Sequence, residues 1–228
     1  MPSWDPTGSR GSASAWRGVL LDLDGTLIDH FATLYACYAF VLSTLGLAVP
    51  SREVVRRSVG GSMEVTMRKL VAEEHVAAAA QLWRDHFART YLDDVTLMPG
   101  GGELVRALHE RRLRLGVFTN KIGETSRGIC AHLGLRPYLD VVLGANDTAW
   151  RKPQPEFTHL ALEKLGTSAA ETVLIGDSPY DVDAARVVGM HVACVTTGTH
   201  TAEELEAAGA NSIHSDLRAV ARDVFGID

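Results

Sequence analysis

From Pro99 onward the chain alternates helical and strand-like segments, and this alternation limits its fold more than any other feature. Residues 103–111, 125–133, 155–165 and 181–188 carry apolar side chains at helical spacing. Between and after them lie short apolar runs at 115–118, 141–143, 172–175 and 191–195. Such a pattern predicts βαβ units around a parallel sheet with helices on both faces. A further apolar run near the amino terminus, residues 18–21, reads as another buried strand of that sheet.

The segment between that first strand and Pro99 is different. Phe31, Leu34, Tyr38, Leu42 and Leu45 recur at helical spacing, with Gly46 as a stop. Residues 52–59, preceded by Ser51, then 63–71 and 77–91 again read as helix, and Gly60-Gly61 breaks the pattern. Roughly 65 residues without a strand exceed an ordinary crossover connection. Residues 30–95 are therefore expected to form a helical cap, inserted into an α/β core of residues 16–29 and 96–228. The linkers fall near Asp29-His30 and at 92–99. The first 15 residues, rich in Ser, Gly and Pro, are expected to be a disordered tail.

The formal net charge of −6 argues against a protein that binds nucleic-acid backbones. No apolar run is long enough to span a membrane, and no secretory pattern opens the chain. Cys37, Cys130 and Cys194 lie far apart without metal-ligand spacing, as reduced packing residues of a cytoplasmic protein do.

The predicted strands end in polar residues. Strand 18–21 runs into Asp22-Leu23-Asp24-Gly25-Thr26, strand 115–118 into Thr119-Asn120-Lys121, and strand 172–175 into Gly176-Asp177-Ser178-Pro179-Tyr180-Asp181. Lys152 precedes a proline-initiated helix. A parallel sheet gathers its carboxyl ends on one edge, where ligands bind. Paired carboxylates call for a divalent cation, and hydroxyl, amide and ammonium groups suit phosphoryl oxygens. Each residue also has a plain structural reading: an acidic turn, a helix cap at Thr119-Asn120, a surface lysine, a helix-start aspartate at Asp181. That all of them coincide on one sheet edge by accident is improbable.

These residues, in this order and spacing, resemble the four motifs of the haloacid dehalogenase superfamily of phosphohydrolases, over the chain from about Trp16 to its end. The resemblance implies a Rossmann-like core and named roles. Asp22 would be the nucleophile that forms an aspartyl-phosphate, and Asp24 the acid and then the base. Asp22, the Asp24 carbonyl and Asp177 would hold Mg²⁺, with Asp181 orienting that site from behind. Thr119, the Asn120 amide and Lys152 would bind the phosphoryl oxygens. Asp24 would be raised toward neutral while the metal holds Asp22 ionised.

The presence of Asp24 points to phosphoryl transfer rather than dehalogenation. Gly176 stands where sugar-phosphate mutases of this group usually carry Glu, and Lys69, the lone cap lysine, does not match a Schiff-base lysine. Thr119-Asn120-Lys121, His132-Leu133-Gly134-Leu135 and Gly176-Asp177-Ser178 look most like phosphoglycolate phosphatases. The expected activity is Mg²⁺-dependent hydrolysis of a small phosphorylated metabolite by a monomer or homodimer. A pyrophosphatase or nucleotidase, a phosphotransferase (mutase), or a non-catalytic phosphate-binding protein remain the alternatives. Specificity is expected from the cap, with the Gly60-Gly61-Ser62 loop reaching the site and Arg56 or Arg57 meeting a substrate carboxylate. Both arginines also have a plain reading as solvated helix residues. His30, at the cap hinge, either faces the substrate or is polar packing.

Overall fold

The computed structural model describes residues 16–59 and 61–227. The expected tail, residues 1–15, and Gly60 lie outside the described residues. Strand β1 (Gly18–Leu21) and the short β2 (Ile28–Asp29) lead into helices α1 (Phe31–Thr44), α2 (Arg52–Ser58), α3 (Met63–Leu70) and α4 (Glu73–Thr90). The chain returns through β3 (Thr96–Leu97), α5 (Gly101–Glu110), β4 (Arg114–Ile122), α6 (Gly123–His132), β5 (Val141–Ala145), α7 (Pro155–Leu165) and β6 (Thr172–Gly176). It finishes with α8 (Pro179–Arg186), β7 (His191–Val195), α9 (Ala202–Ala208), β8 (Ser212–His214) and α10 (Leu217–Phe225).

Six strands form one parallel sheet in the order β5-β4-β1-β6-β7-β8. The period-two alternation of strands sorts their side chains onto two faces. Val19, Leu21, Val117, Val173, Ile175 and Val195 join one core cluster with residues of α5, α6 and α10. Leu20, Phe118, Leu143, Leu174 and Cys194 point the other way, into a cluster with α7, α8 and α9. The sheet is thus covered on both sides, which is why its strands read as continuous apolar runs. Cys37, Cys130 and Cys194 are all buried and unpaired.

Local signals set the helix ends. Pro155 opens α7, and Gly166, at φ 76°, closes it. Ser178 and Asp181 form a reciprocal capping box at the start of α8, and Thr201 with Glu204 does the same for α9. The Asp216 carboxylate caps α10 by accepting from the Ala219 amide at 2.9 Å.

The helices α1–α4 close over their own cluster, built from Leu34, Tyr38, Val41, Val55, Met67 and Phe87 among others. The chain enters and leaves this insert through one antiparallel ribbon, where Ile28 pairs with Leu97 and Asp29 with Thr96.

Three boundaries differ from the sequence expectation. Helix α4 starts at Glu73, four residues before the apolar pattern begins, with Glu73 and Glu74 in its first turn where the helix dipole favours acids. Strand β4 runs on to Ile122, through Thr119-Asn120-Lys121, by shifting register against β5 between Phe118 and Ile122. The elements α9, β8 and α10 extend the sheet beyond the last strand expected. Among the described residues, no helix is long and apolar enough to cross a membrane.

Phe118 is fully buried beneath the bulged end of β4, against Phe157 at a ring-centroid distance of 4.8 Å. Phe118→Ala should cost about 3–5 kcal/mol of unfolding free energy in chemical denaturation. A loss under about 1 kcal/mol would show that this face of the sheet is not packed as described.

Candidate active site

The order of the sheet places the site. From β1 the chain moves outward on one side through β4 and β5, then crosses to the other side for β6, β7 and β8. The carboxyl ends of β1, β4 and β6 therefore flank a crevice at the switch point, the usual ligand position in such sheets. Asp22 follows β1 directly, and its amide still donates to the Ile175 carbonyl at 2.8 Å. The chain then folds back sharply, with Gly25 N–H donating to the Ile28 carbonyl at 3.0 Å. Gly25 lies at φ 80°, and a Cβ there would stand 2.7 Å from the Asp177 carboxylate. Backbone strain and crowding both require glycine at this position.

Lys152 is the hub. Its side chain is 2% exposed, and its Nζ lies 2.9 Å from Asp22 Oδ1 and 2.6 Å from Asp181 Oδ1. The other Asp181 oxygen accepts from the Ser178 hydroxyl at 2.7 Å and from the Ser178 amide at 3.2 Å. A Cβ on Gly176 would collide with the Asp181 carboxyl. Asp177 is held more loosely, by the Thr26 hydroxyl at 3.3 Å and the Thr199 amide at 3.4 Å.

Lys152 is itself fixed by Asn120. The Asn120 Oδ1 accepts from the Lys152 amide at 2.8 Å, and its Nδ2 donates to the Lys152 carbonyl at 3.1 Å. The sequence assigned Asn120 a role through its backbone amide; its side chain grips the peptide of Lys152. Thr119 is buried beside it, its hydroxyl accepting from the Lys121 amide at 3.2 Å.

Asp24 lies in a separate pair. Lys121 Nζ donates to both Asp24 oxygens, at 3.1 and 3.0 Å. The fully buried His30 ring places Nδ1 3.6 Å from Asp24 Oδ1. The sequence sets Lys121 directly after Thr119-Asn120 without pointing to a role for it. The signal available was only its place two residues after Thr119, because its partner is 97 residues away.

For Asp24 these contacts reverse the expected direction; for Asp22 they act without the cation expected to hold it ionised. Burial, aided by the Asp181 charge and only partly offset by Lys152, pushes Asp22 up to about 6. Burial and the neighbouring Asp22 and Asp181 charges push Asp177 well above the usual carboxylate range. For Asp24, burial acts upward, but Lys121 and His30 outweigh it and hold the carboxyl well below that range. Burial lowers His30. Lys152, despite its burial, is raised by Asp181 and Asp22.

Asp22, Asp177 and Asp181 each offer a carboxylate oxygen, and these atoms lie within 4.8 Å of one another. Three carboxylates facing a single ammonium make an incompletely neutralised all-oxygen set, which fits a hard divalent cation. Asp181 already spends both oxygens, on Lys152 and Ser178, so Asp22 and Asp177 are the freer donors.

Above these groups lies a cavity of about 370 Å³, between the strand ends and the helical insert. The insert contributes Phe31, Tyr38, Trp83 and Phe87 to its wall, together with Gly61 and Arg56. Arg56 lies over the Phe31 ring at 4.2 Å. Arg57, the other candidate, is not among the residues that line the cavity. It faces outward to Glu53 at 3.2 Å and Glu204 at 3.6 Å, because one residue along a helix turns a side chain by about 100°.

The raised Asp22 carries a stability prediction. Its folded-state value lies above its ordinary value of 3.8, so the folded protein keeps this proton longer. The associated stabilisation is full below about pH 4 and is lost as the pH rises through about 6. In EDTA, Asp22→Asn should therefore be more stable than wild type at pH 7.5, by on the order of 2 kcal/mol, with the difference shrinking toward pH 4.5. Urea denaturation at both values tests this, and a difference independent of pH would contradict it.

Comparison with known proteins agrees with this geometry. Residues 19–195 match the haloacid dehalogenase-like hydrolase family. The phosphoglycolate phosphatase of Rhodospirillum rubrum is 32% identical over 216 residues, covering 90% of this chain and 89% of the relative. That of Yersinia pseudotuberculosis is 30% identical over 198 residues, covering 84% and 85%. The crystal structure of a predicted phosphatase from Clostridium acetobutylicum superposes with a TM-score of 0.85 at 26% identity, over 93% of this chain and 99% of that one. The chain belongs to the haloacid dehalogenase-like hydrolases, as a phosphatase similar to the phosphoglycolate phosphatases.

Proposed function

We propose that this phosphatase hydrolyses a small phosphomonoester, phosphoglycolate or a similar metabolite, in two steps through a phosphorylated Asp22 and with Mg²⁺. The observation that carries the reading is the buried Lys152 ammonium between Asp22 and Asp181, with Asp177 beside it, at a cavity that the insert helps to wall. The names of the relatives support the substrate class. On this reading residues 30–95 act as a cap domain over a core of residues 16–29 and 96–228.

In the first step an Asp22 oxygen attacks phosphorus, and the bond from phosphorus to the alcohol oxygen breaks. Asp24 gives that oxygen its proton. In the second step Asp24 takes a proton from water, whose oxygen attacks the phosphorus of the aspartyl-phosphate. Phosphate leaves and the Asp22 carboxylate is restored. Lys152 neutralises the phosphoryl oxygens, and the Thr119 hydroxyl, on the cavity wall, donates to them. Asn120 keeps Lys152 at its post. Because Lys121 and His30 favour the charged form of Asp24, proton uptake there requires those contacts to loosen when substrate is seated.

Asp22, Asp177 and the Asp24 carbonyl would hold Mg²⁺, with Asp181 supporting them. When bound, the ion offsets the negative charge that otherwise keeps a carboxylate from approaching a phosphate dianion. The protein is proposed to work in the cytoplasm as a monomer or homodimer.

Asp22→Asn should lower phosphate release from phosphoglycolate by about 10³-fold or more while leaving the circular dichroism spectrum unchanged. EDTA should abolish release and added Mg²⁺ restore it. Turnover that survives both treatments would overturn the mechanism. Mg²⁺ binding should also tighten as the pH rises through about 6, because it competes with the proton on Asp22. Isothermal titration at pH 5 and pH 7.5 would show this, and equal affinity at the two values would contradict it.

A further inference from the structure

We propose that Lys121 selects the alcohol half of the substrate, by binding an anionic substituent such as a carboxylate carried next to the ester oxygen. The proposal rests on the phosphomonoester reading above. Lys121, near the end of β4, and Lys152, in the loop before α7, both line the cavity. Lys152 lies on the Asp22 side, against the group proposed to attack phosphorus. Lys121 lies on the Asp24 side, against the group proposed to protonate the departing oxygen. A substituent one carbon from that oxygen would therefore lie toward Lys121, with the phosphoryl group toward Lys152.

The surroundings of Lys121 suit this task. Its side chain is only 6% exposed, and the Phe87 ring of the insert lies 4.9 Å from its Nζ. A charge so enclosed discriminates more strongly than one in open solvent. An ammonium has three donors, and the two hydrogen bonds of Nζ among the described residues both go to Asp24. One donor remains for a ligand. An ammonium shared between two carboxylates has a precedent in this structure, since Lys152 stands in that way between Asp22 and Asp181.

The other cations on the cavity wall are less suited. Arg84 is paired with Glu64 at 3.4 Å, and Arg151 is exposed. Arg56 belongs to the insert and lies over Phe31. Lys121 is held by its own backbone, whose amide donates to the Thr119 hydroxyl in the bulged segment of β4. A site with a buried, committed donor rejects a ligand that lacks the matching acceptor, because the donor is then left unpaired.

The test compares kcat/KM for phosphoglycolate and for 2-hydroxyethyl phosphate, which has the same chain length and no carboxylate. It uses wild type, Lys121→Met and Lys121→Arg. Wild type should prefer phosphoglycolate, Lys121→Met should lower that preference by about ten-fold or more, and Lys121→Arg should retain part of it. If the Met variant does not fold, Lys121→Gln takes its place with the same expectation. Taking the ratio of the two esters cancels any general damage from releasing Asp24. Equal losses for both esters would mean that Lys121 only holds Asp24, and the proposal would fall. Wild type that prefers 2-hydroxyethyl phosphate, or that hydrolyses other phosphomonoesters but not phosphoglycolate, would overturn it while leaving the phosphatase reading intact. Failure of wild type to release phosphate from any phosphomonoester with Mg²⁺ would overturn both.

Discussion

Three carboxylates with oxygens within 4.8 Å of one another, all in the interior, repel each other strongly enough to oppose folding. Lys152 makes the arrangement tolerable. Its ammonium pairs with two of the three, and removing it would leave an uncompensated buried charge. Much of the nearby backbone serves this contact. The Asn120 amide clasps the Lys152 peptide on both sides, the Ser178 capping box fixes the second oxygen of Asp181, and glycines at 25 and 176 leave room for the carboxylates. The compensation is incomplete, and the raised Asp22 and Asp177 carboxyls record what is left over. Stability is given up here for a site ready to receive a cation and a phosphate.

The fold supports that site cheaply because the working residues sit where strands end. The interior of the sheet consists of apolar runs that alternate between two cores, and chemistry begins one residue after β1 and β6 stop. In β4 the same switch occurs inside the strand, where the register against β5 slips. The slip carries Thr119, Asn120 and Lys121 toward three different tasks: the cavity, the Lys152 peptide and Asp24. The insert adds aromatic walls and lies against the same lysine through Phe87.

What could be read from the sequence follows from the range of each signal. The parallel sheet, the helical insert and the ends of β1 and β6 were legible because periodicity and turn chemistry act over a few residues. Asp22, Asp24, Thr119, Lys152, Asp177 and Asp181 were legible as a set because four short motifs occur in order. The Lys121–Asp24 pair was not, since it joins positions 97 apart and neither residue announces the other. Arg56 and Arg57 could not be separated because adjacent helix residues differ only in direction, which tertiary packing decides. The lowered Asp24 carboxyl was hidden for the same reason: it depends on which cation lies beside which carboxylate. The strand β8 and its flanking helices were missed because β8 is short and only half-buried.

The central claim is that Asp22 carries the phosphoryl group between the two steps. Borohydride reduces an acyl phosphate but not a free carboxylate, so it reports that bond directly. Enzyme quenched into borohydride during turnover of phosphoglycolate with Mg²⁺, then digested and mapped by mass spectrometry, should show a reduced side chain at position 22 and nowhere else. It should show none when substrate or Mg²⁺ is left out. An unreduced Asp22 in enzyme that is actively releasing phosphate, or reduction at a different carboxylate, would contradict the account.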